Sequence, residues 1–304
     1  MMKLTKEQWE KTAVFMQTSA RPLEQALFNY HFGAGSVTAV FAALAVFQNE
    51  DSGFGHGLEP DMQVADSSVL ATTVALQTLR ALAVPGTNPL VQGAVRFLQN
   101  TYSPAHQSWP FVPPNVAEAP HAPWWQYDAD YTQYWHNPRP EVVGYLLDWG
   151  DSALGAQVLT AVLATAAQAE SIDMHALYCY LRLLETAALP DDARRTLTPL
   201  VQKWADQLVE TNPDNWGGYG LRPLAVAATP DALLANHFID AINQELDYVV
   251  REQQADGAWW PAWSWSDLYP DVWPQAAQSW KGVITLHNLL TLRAFGRLPD
   301  GVGQ

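Results

Sequence analysis

A repeated string constrains this chain most. Gln48-Asn49-Glu50-Asp51-Ser52-Gly53-Phe54 aligns with Gln253-Gln254-Ala255-Asp256-Gly257-Ala258-Trp259. Each copy follows an apolar helical pattern and leads through a Pro-containing loop to a second one. Those second segments match as well, Leu76-Gln77-Thr78-Leu79-Arg80-Ala81 against Leu289-Leu290-Thr291-Leu292-Arg293-Ala294. Weaker copies lie between, where Phe97-Leu98-Gln99-Asn100 precedes Trp109-Pro110 and Leu208-Val209-Glu210 precedes Asn215-Trp216-Gly217-Gly218. A further pair, around 158–167 and 174–187, lacks the aromatic. The markers Phe54, Trp109, Trp216 and Trp259 are separated by 55, 107 and 43 residues, one unit at each end and two in the middle. Recurrence of this kind marks helix hairpins that cannot bury their apolar faces alone and must stack on one another.

The periodicity within the units is helical. Val37, Val40, Phe41, Leu44 and Phe47 fall on one face, as do Leu177, Tyr180, Leu181 and Leu184, whereas period-2 alternation is nearly absent. Asn88-Pro89, Asn137-Pro138 and Thr229-Pro230 read as helix starts with a capping residue before Pro, and Asp66-Ser67-Ser68 and Ser36 serve the same purpose. The expectation is an all-α fold, a ring of about five to six helix hairpins with long loops in one domain over 1–304, and about ten or eleven helices in all.

Charge narrows the function. The chain carries 31 acidic residues against 16 Lys+Arg, a net charge of −15, and no basic stripe, which argues against nucleic acid and anionic membrane surfaces. No apolar run approaches the roughly 20 residues that span a bilayer, and Met1 to Ser19 has no signal-peptide core, so a cytoplasmic protein with no membrane insertion is expected. The one cysteine, Cys179, sits in an apolar helical setting and reads as a buried small hydrophobe. The eight His lack the close spacing of a zinc site, and no phosphate-binding Gly loop or nucleophile elbow is present. No cofactor is expected, although a divalent cation is compatible with the acidic loops. The oligomeric state stays open.

The repeat resembles that of the terpenoid cyclase and protein prenyltransferase superfamily, and the resemblance implies an α/α toroid. Two other strings, Gly53-Phe54-Gly55-His56-Gly57-Leu58-Glu59-Pro60-Asp61 and Pro120-His121-Ala122-Pro123-Trp124-Trp125, resemble a narrower bacterial group with no assigned reaction. The prenyltransferase zinc set of an Asp, a Cys and a His has no counterpart around Cys179. The acid motif of class II cyclases, Asp-x-Asp-Asp-Thr-Ala, is matched in part by Asp128-Ala129-Asp130-Tyr131-Thr132-Gln133, which keeps the first two Asp and the Thr.

Four carboxylates are the catalytic candidates. Glu59 and Asp61 stand in a Gly- and Pro-rich loop beside His56. Such a pair can divide acid and base roles, bind a divalent cation, or position a water with His56; the plainer reading is that they cap and solvate the turn. Asp128 and Asp130 are the cyclase-like pair, or simply a solvated loop. The ligand-binding candidates are His56, His121, Trp124, Trp125, Trp259, Trp260 and Trp263, since Trp faces stack on sugars, planar ligands or hydrocarbons. Their plainer reading is a packing lid and the structural aromatic of the repeat. Glu141, in a first helical turn, complements the helix dipole, and Asp173 caps the helix carrying His175 and Cys179. The leading expectation is a small cyclase-like or isoprenoid-binding enzyme, in which a protonated Asp starts a carbocation that aromatic walls stabilise. The alternatives are a glycoside hydrolase or polysaccharide lyase, and a non-catalytic module holding a small apolar or sugar-like ligand or a partner.

Overall fold

The structure is a computed structural model, and it describes residues 1–302. Among them the chain is all-helical, with twelve α-helices, three short 3-10 turns and no β-strand. In chain order the helices are α1 (Lys6–Thr18), α2 (Pro22–Phe32), α3 (Val37–Ala45), α4 (Val69–Ala81), α5 (Pro89–Asn100), α6 (Arg139–Trp149), α7 (Ser152–Gln168), α8 (Met174–Leu184), α9 (Asp191–Leu208), α10 (Pro223–Val226), α11 (Ile239–Arg251) and α12 (Trp273–Ala294). The chain divides into two compact units, Leu44–Leu208 and the combination of Met1–Ala43 with the segment from Val209 onward.

In Leu44–Leu208, α6 is the central helix. It packs against α4, α5, α7 and α8, and buries Val142, Val143, Tyr145 and Leu146 completely. Its polar side chains Arg139 and Glu141 are buried with them, so each must find its partners inside the protein. The α9 helix closes this unit against α7 and α8. In the other unit, α1, α2 and α12 pack on one another, and α10 packs on α11.

The two strong copies of the repeat fold alike, bond for bond. The carboxylate of Asp51 accepts from the Gly53 N–H at 2.9 Å, and that of Asp256 accepts from the Ala258 N–H at 3.1 Å. The amides of Gln48 and Gln253 donate to the carbonyls of Ser52 and Gly257 at 3.1 and 3.2 Å. Both turns need the left-handed region, with φ of 71° at Ser52 and 84° at Gly257. At Gly257 close approach adds to the requirement, because a Cβ would meet the backbone carbonyl carbon of Lys11 at 2.5 Å. The aromatic that follows is pinned by the second helix: the Phe54 N–H donates to Thr72 Oγ1 and the Trp259 N–H to Thr285 Oγ1, each at 3.1 Å.

Three of the aromatic markers share one more contact. The indole N–H groups of Trp109, Trp216 and Trp259 donate to the carbonyls of Leu98, Glu210 and Val249 at 2.6, 2.8 and 2.8 Å. Each acceptor lies at or near the C-terminal end of a helix, where carbonyls have no intrahelical partner. Phe54 has no side-chain N–H to give, and it is held by burial and its backbone alone.

Of Asp66-Ser67-Ser68 it is Ser68 that caps α4, accepting from Ala71 N; Asn88 caps α5, accepting from Leu90 N, and Ser36 accepts from Ala39 N ahead of α3. Two expected starts differ. Asn137 does not cap α6, which begins at Arg139 after Pro138; its side chain accepts from Cys179 Sγ at 3.3 Å instead. Thr229-Pro230 opens a run of turns, and the helix there begins only at Ile239.

Candidate functional sites

Within Leu44–Leu208, backbone pairing brings the two singled-out loop strings together. Met62 and His121 form an antiparallel bridge, flanked by Gln63 N–H to Pro120 O at 2.9 Å and Ala122 N–H to Asp61 O at 2.7 Å. The turn that makes this possible relies on glycine. A Cβ on Gly55 would collide with the carbonyl oxygens of Ala65 and Asp66, and Gly57 has φ of 71° beside His56 at 55°. Glu59, Asp61 and His121 are buried as a result. His121 Nδ1 lies 2.7 Å from Ala119 O, and because a carbonyl oxygen only accepts, the ring donates in this contact. His56 is exposed, with Nε2 2.8 Å from Asn49 Oδ1.

The neighbouring aromatics divide by burial. Trp125 is partly buried against Met62, Val64, Leu70, Val112 and Val116, with Phe111 edge-on at 5.2 Å. Trp124 stands 46% exposed. Asp128 and Asp130 are exposed and spend their carboxylates on local turns, accepting from Asp130 N at 2.8 Å and Thr132 N at 3.1 Å. Asp173 caps α8 through His175 N and Ala176 N.

In the other unit, an open groove of about 380 Å³ is lined by Trp260, Pro261, Trp263, Ser264, Trp273, Pro274, Ala277, Gln278 and Lys281. Trp259, the repeat's own aromatic, is buried and is not among these residues. Trp260 is 53% exposed, yet it is fixed from both sides. Its Nε1 donates to Asp256 Oδ2 at 3.1 Å, and the Lys281 ammonium sits 3.9 Å from its ring centroid. Asp256 therefore closes the repeat turn, anchors Trp260 and pairs with Lys281 at 3.6 Å. Trp263 packs edge-on against Trp280 at 5.0 Å, and Trp273 rests against the fully buried Trp265 at 5.5 Å. Between these aromatics the loop passes through Ser266 and Tyr269, both left-handed at φ of 54° and 49°.

A second pocket, of about 390 Å³, lies within Leu44–Leu208 and is lined by Gln77, Arg80, Ala81, Tyr145, Arg182 and Glu185. Sequence reasoning passed over it. Behind it stands Glu141, 2% exposed, with four donors. Oε1 accepts from Gln77 Nε2 at 2.8 Å and Tyr145 Oη at 2.7 Å; Oε2 accepts from Arg182 Nη1 at 2.9 Å and, weakly, from Cys179 Sγ at 3.7 Å. Burial and then the Glu141 charge push the Cys179 thiol well above its ordinary pKa, so the lone cysteine is a neutral core group. Arg80 bridges to Asp148 at 3.0 Å and lies 4.5 Å from the Tyr145 ring centroid. One signal in the repeat marked this place: Gln77 occupies the helical position that Leu290 holds in the other copy.

Among the described residues, no three His, Cys, Asp or Glu side chains gather so as to hold a metal ion, and no helix is long and apolar enough to cross a membrane. The sequence matches no protein-family model and no curated protein, so the chemistry of these sites is read from their own geometry.

Proposed function

We propose that this protein binds a saccharide in the tryptophan groove of the unit that contains α12. The carrying observation is a rigid, half-exposed Trp260 in a groove that also presents Trp263 and Trp273. An indole held open to solvent forgoes hydrophobic stabilisation, and its electron-rich face matches the C–H-bearing face of a pyranose ring. Ser264, Gln278 and Lys281 supply hydroxyl partners along the same groove. Few rotamers remain to be frozen on binding, because Asp256 and Lys281 already fix the platform.

Binding without hydrolysis is the favoured form of this reading. Among the described residues that line the groove there is no carboxylate, whereas glycosidic cleavage needs two across the scissile bond. An isoprenoid cyclase is supported less well. A carbocation needs a site from which water is excluded, and the groove is open. Asp128 and Asp130, the cyclase-like pair, cap exposed turns.

Titration of intrinsic tryptophan fluorescence with a panel of oligosaccharides and, in parallel, prenyl alcohols tests the proposal. Saturable binding of a sugar is expected, weakened about tenfold in Trp260→Ala, a loss of about 1.4 kcal/mol. Saturation by a prenyl alcohol with no response to any sugar would return the isoprenoid reading. Sugar binding that Trp260→Ala leaves unchanged would move the site elsewhere.

A further inference from the structure

The pocket between α4, α6 and α8 has a different chemistry from the tryptophan groove, and its charges are arranged in a particular way. Arg80 is neutralised by Asp148 at 3.0 Å, and Arg182 is anchored through one nitrogen, Nη1, to Glu141 at 2.9 Å. Among the described residues, the Nε and Nη2 of Arg182 make no hydrogen bond, and Glu185 makes no ion pair. Both line the pocket, within one turn of each other on the α8 side. The pocket therefore offers a guanidinium edge with donors to give and, beside it, a carboxylate that is not held in an ion pair. Gln77 and Tyr145 add acceptor oxygens, because each gives its donor to Glu141.

This donor set selects among ligands. A simple anion would pair with Arg182 but face Glu185; a simple cation would meet the reverse. A molecule carrying both charges a few ångströms apart satisfies the two together. We infer that this pocket binds a small zwitterion of the amino-acid class, its carboxylate on the free edge of Arg182 and its ammonium on Glu185. The volume, about 390 Å³, is in the range of small-molecule sites. Arg182 is held in place from behind by a buried carboxylate that also fixes Gln77 and Tyr145, so the pocket is built before any ligand arrives.

Calorimetric titration of the intact protein with the twenty L-amino acids tests the inference, with the N-acetyl derivative and the primary amide of any binder as controls. Binding of at least one free amino acid is expected, with a tenfold or greater loss for both derivatives. Glu185→Gln, at an exposed position where folding is not at stake, should weaken the free amino acid about tenfold and leave the N-acetyl derivative unaffected. Arg182→Lys keeps a charge for Glu141 but loses the guanidinium edge, and should abolish binding. The absence of heat with all twenty at 10 mM would overturn the inference. So would an N-acetyl derivative that binds as tightly as the free form, or a Glu185→Gln protein with unchanged affinity.

Discussion

Glu141 shows how much one buried carboxylate can organise. It receives donors from α4, α6 and α8, and its charge is neutralised by Arg182. Replacement by Gln keeps the shape but puts an amide donor among groups that are themselves donors, and leaves the guanidinium without its counter-ion. Breaking a buried pair from one side costs about 3 kcal/mol or more. Glu141→Gln is accordingly expected to lower stability by about 3 kcal/mol in urea unfolding, while the double variant with Arg182→Met recovers part of that loss. A Glu141→Gln protein as stable as the parent would show that the network does not hold α4, α6 and α8 together. A second carboxylate sets a pH dependence. Glu245, 2% exposed, has its pKa raised to about 7 by burial, although Arg222 lies at 3.2 Å and the Leu224 N–H donates to it at 2.6 Å. The folded state then binds this proton more tightly than the unfolded one. The resulting stability is fully present below the ordinary carboxylate range and is lost as pH rises through about 7, by up to about 3 kcal/mol. Glu245→Gln stays neutral throughout, so the stability of the variant relative to the parent should climb between pH 5 and pH 8. A flat difference would mean that Glu245 titrates at its ordinary value.

At the level of the helix hairpin, the repeat rests on backbone satisfaction as much as on apolar packing. Thr72 and Thr285 each accept a buried N–H from the aromatic of the preceding turn. Thr→Val at either site keeps the volume and removes the acceptor, leaving a buried donor unpaired at a cost of about 1–3 kcal/mol. Similar losses are expected for Thr72→Val and Thr285→Val by thermal or urea unfolding, and a large loss at one site with none at the other would break the equivalence of the two copies. This unit was legible in the sequence because its determinants are local: a turn carboxylate, a residue that tolerates positive φ, and an aromatic, all within seven positions. The pairing of the loop strings around Asp61 and His121 was visible only as two unusual strings, since it is made by backbone atoms about sixty residues apart. The pocket behind Arg182 was not legible at all as a site. Its members are contributed by three helices, and each alone reads as an ordinary helical residue; Glu141 had a sufficient local explanation in its position at the start of α6. Asn137 misled for the same reason, because a capping residue before Pro is locally persuasive while a tertiary contact with Cys179 claims its side chain.

For the chain as a whole, the charge pattern is a liability that no local contact offsets. The net charge is −15, and several of the few cations are committed to internal partners: Arg80 to Asp148, Arg182 to Glu141, Arg222 to Glu245 and Arg297 to Asp247. They do little to neutralise the remaining surface carboxylates. Ion pairs that are exposed on both sides, such as Lys3 with Asp300 and Lys11 with Glu7, contribute little because solvent screens them, and they weaken further in salt. Self-repulsion among the unpaired carboxylates favours expansion, and it too is screened as the Debye length falls from about 30 Å at 0.01 M to about 8 Å at 0.15 M. The two effects have opposite signs. With 31 acidic residues against 16 Lys+Arg, repulsion has many more pairs to act through than the exposed bridges have. The thermal midpoint should therefore rise by a few degrees between 10 and 200 mM NaCl, a shift of about 1 kcal/mol for a chain of this size. Sodium sulfate at matched ionic strength must be compared separately, because sulfate also strengthens apolar burial. A midpoint that fell with NaCl would show that the exposed bridges outweigh the surplus charge.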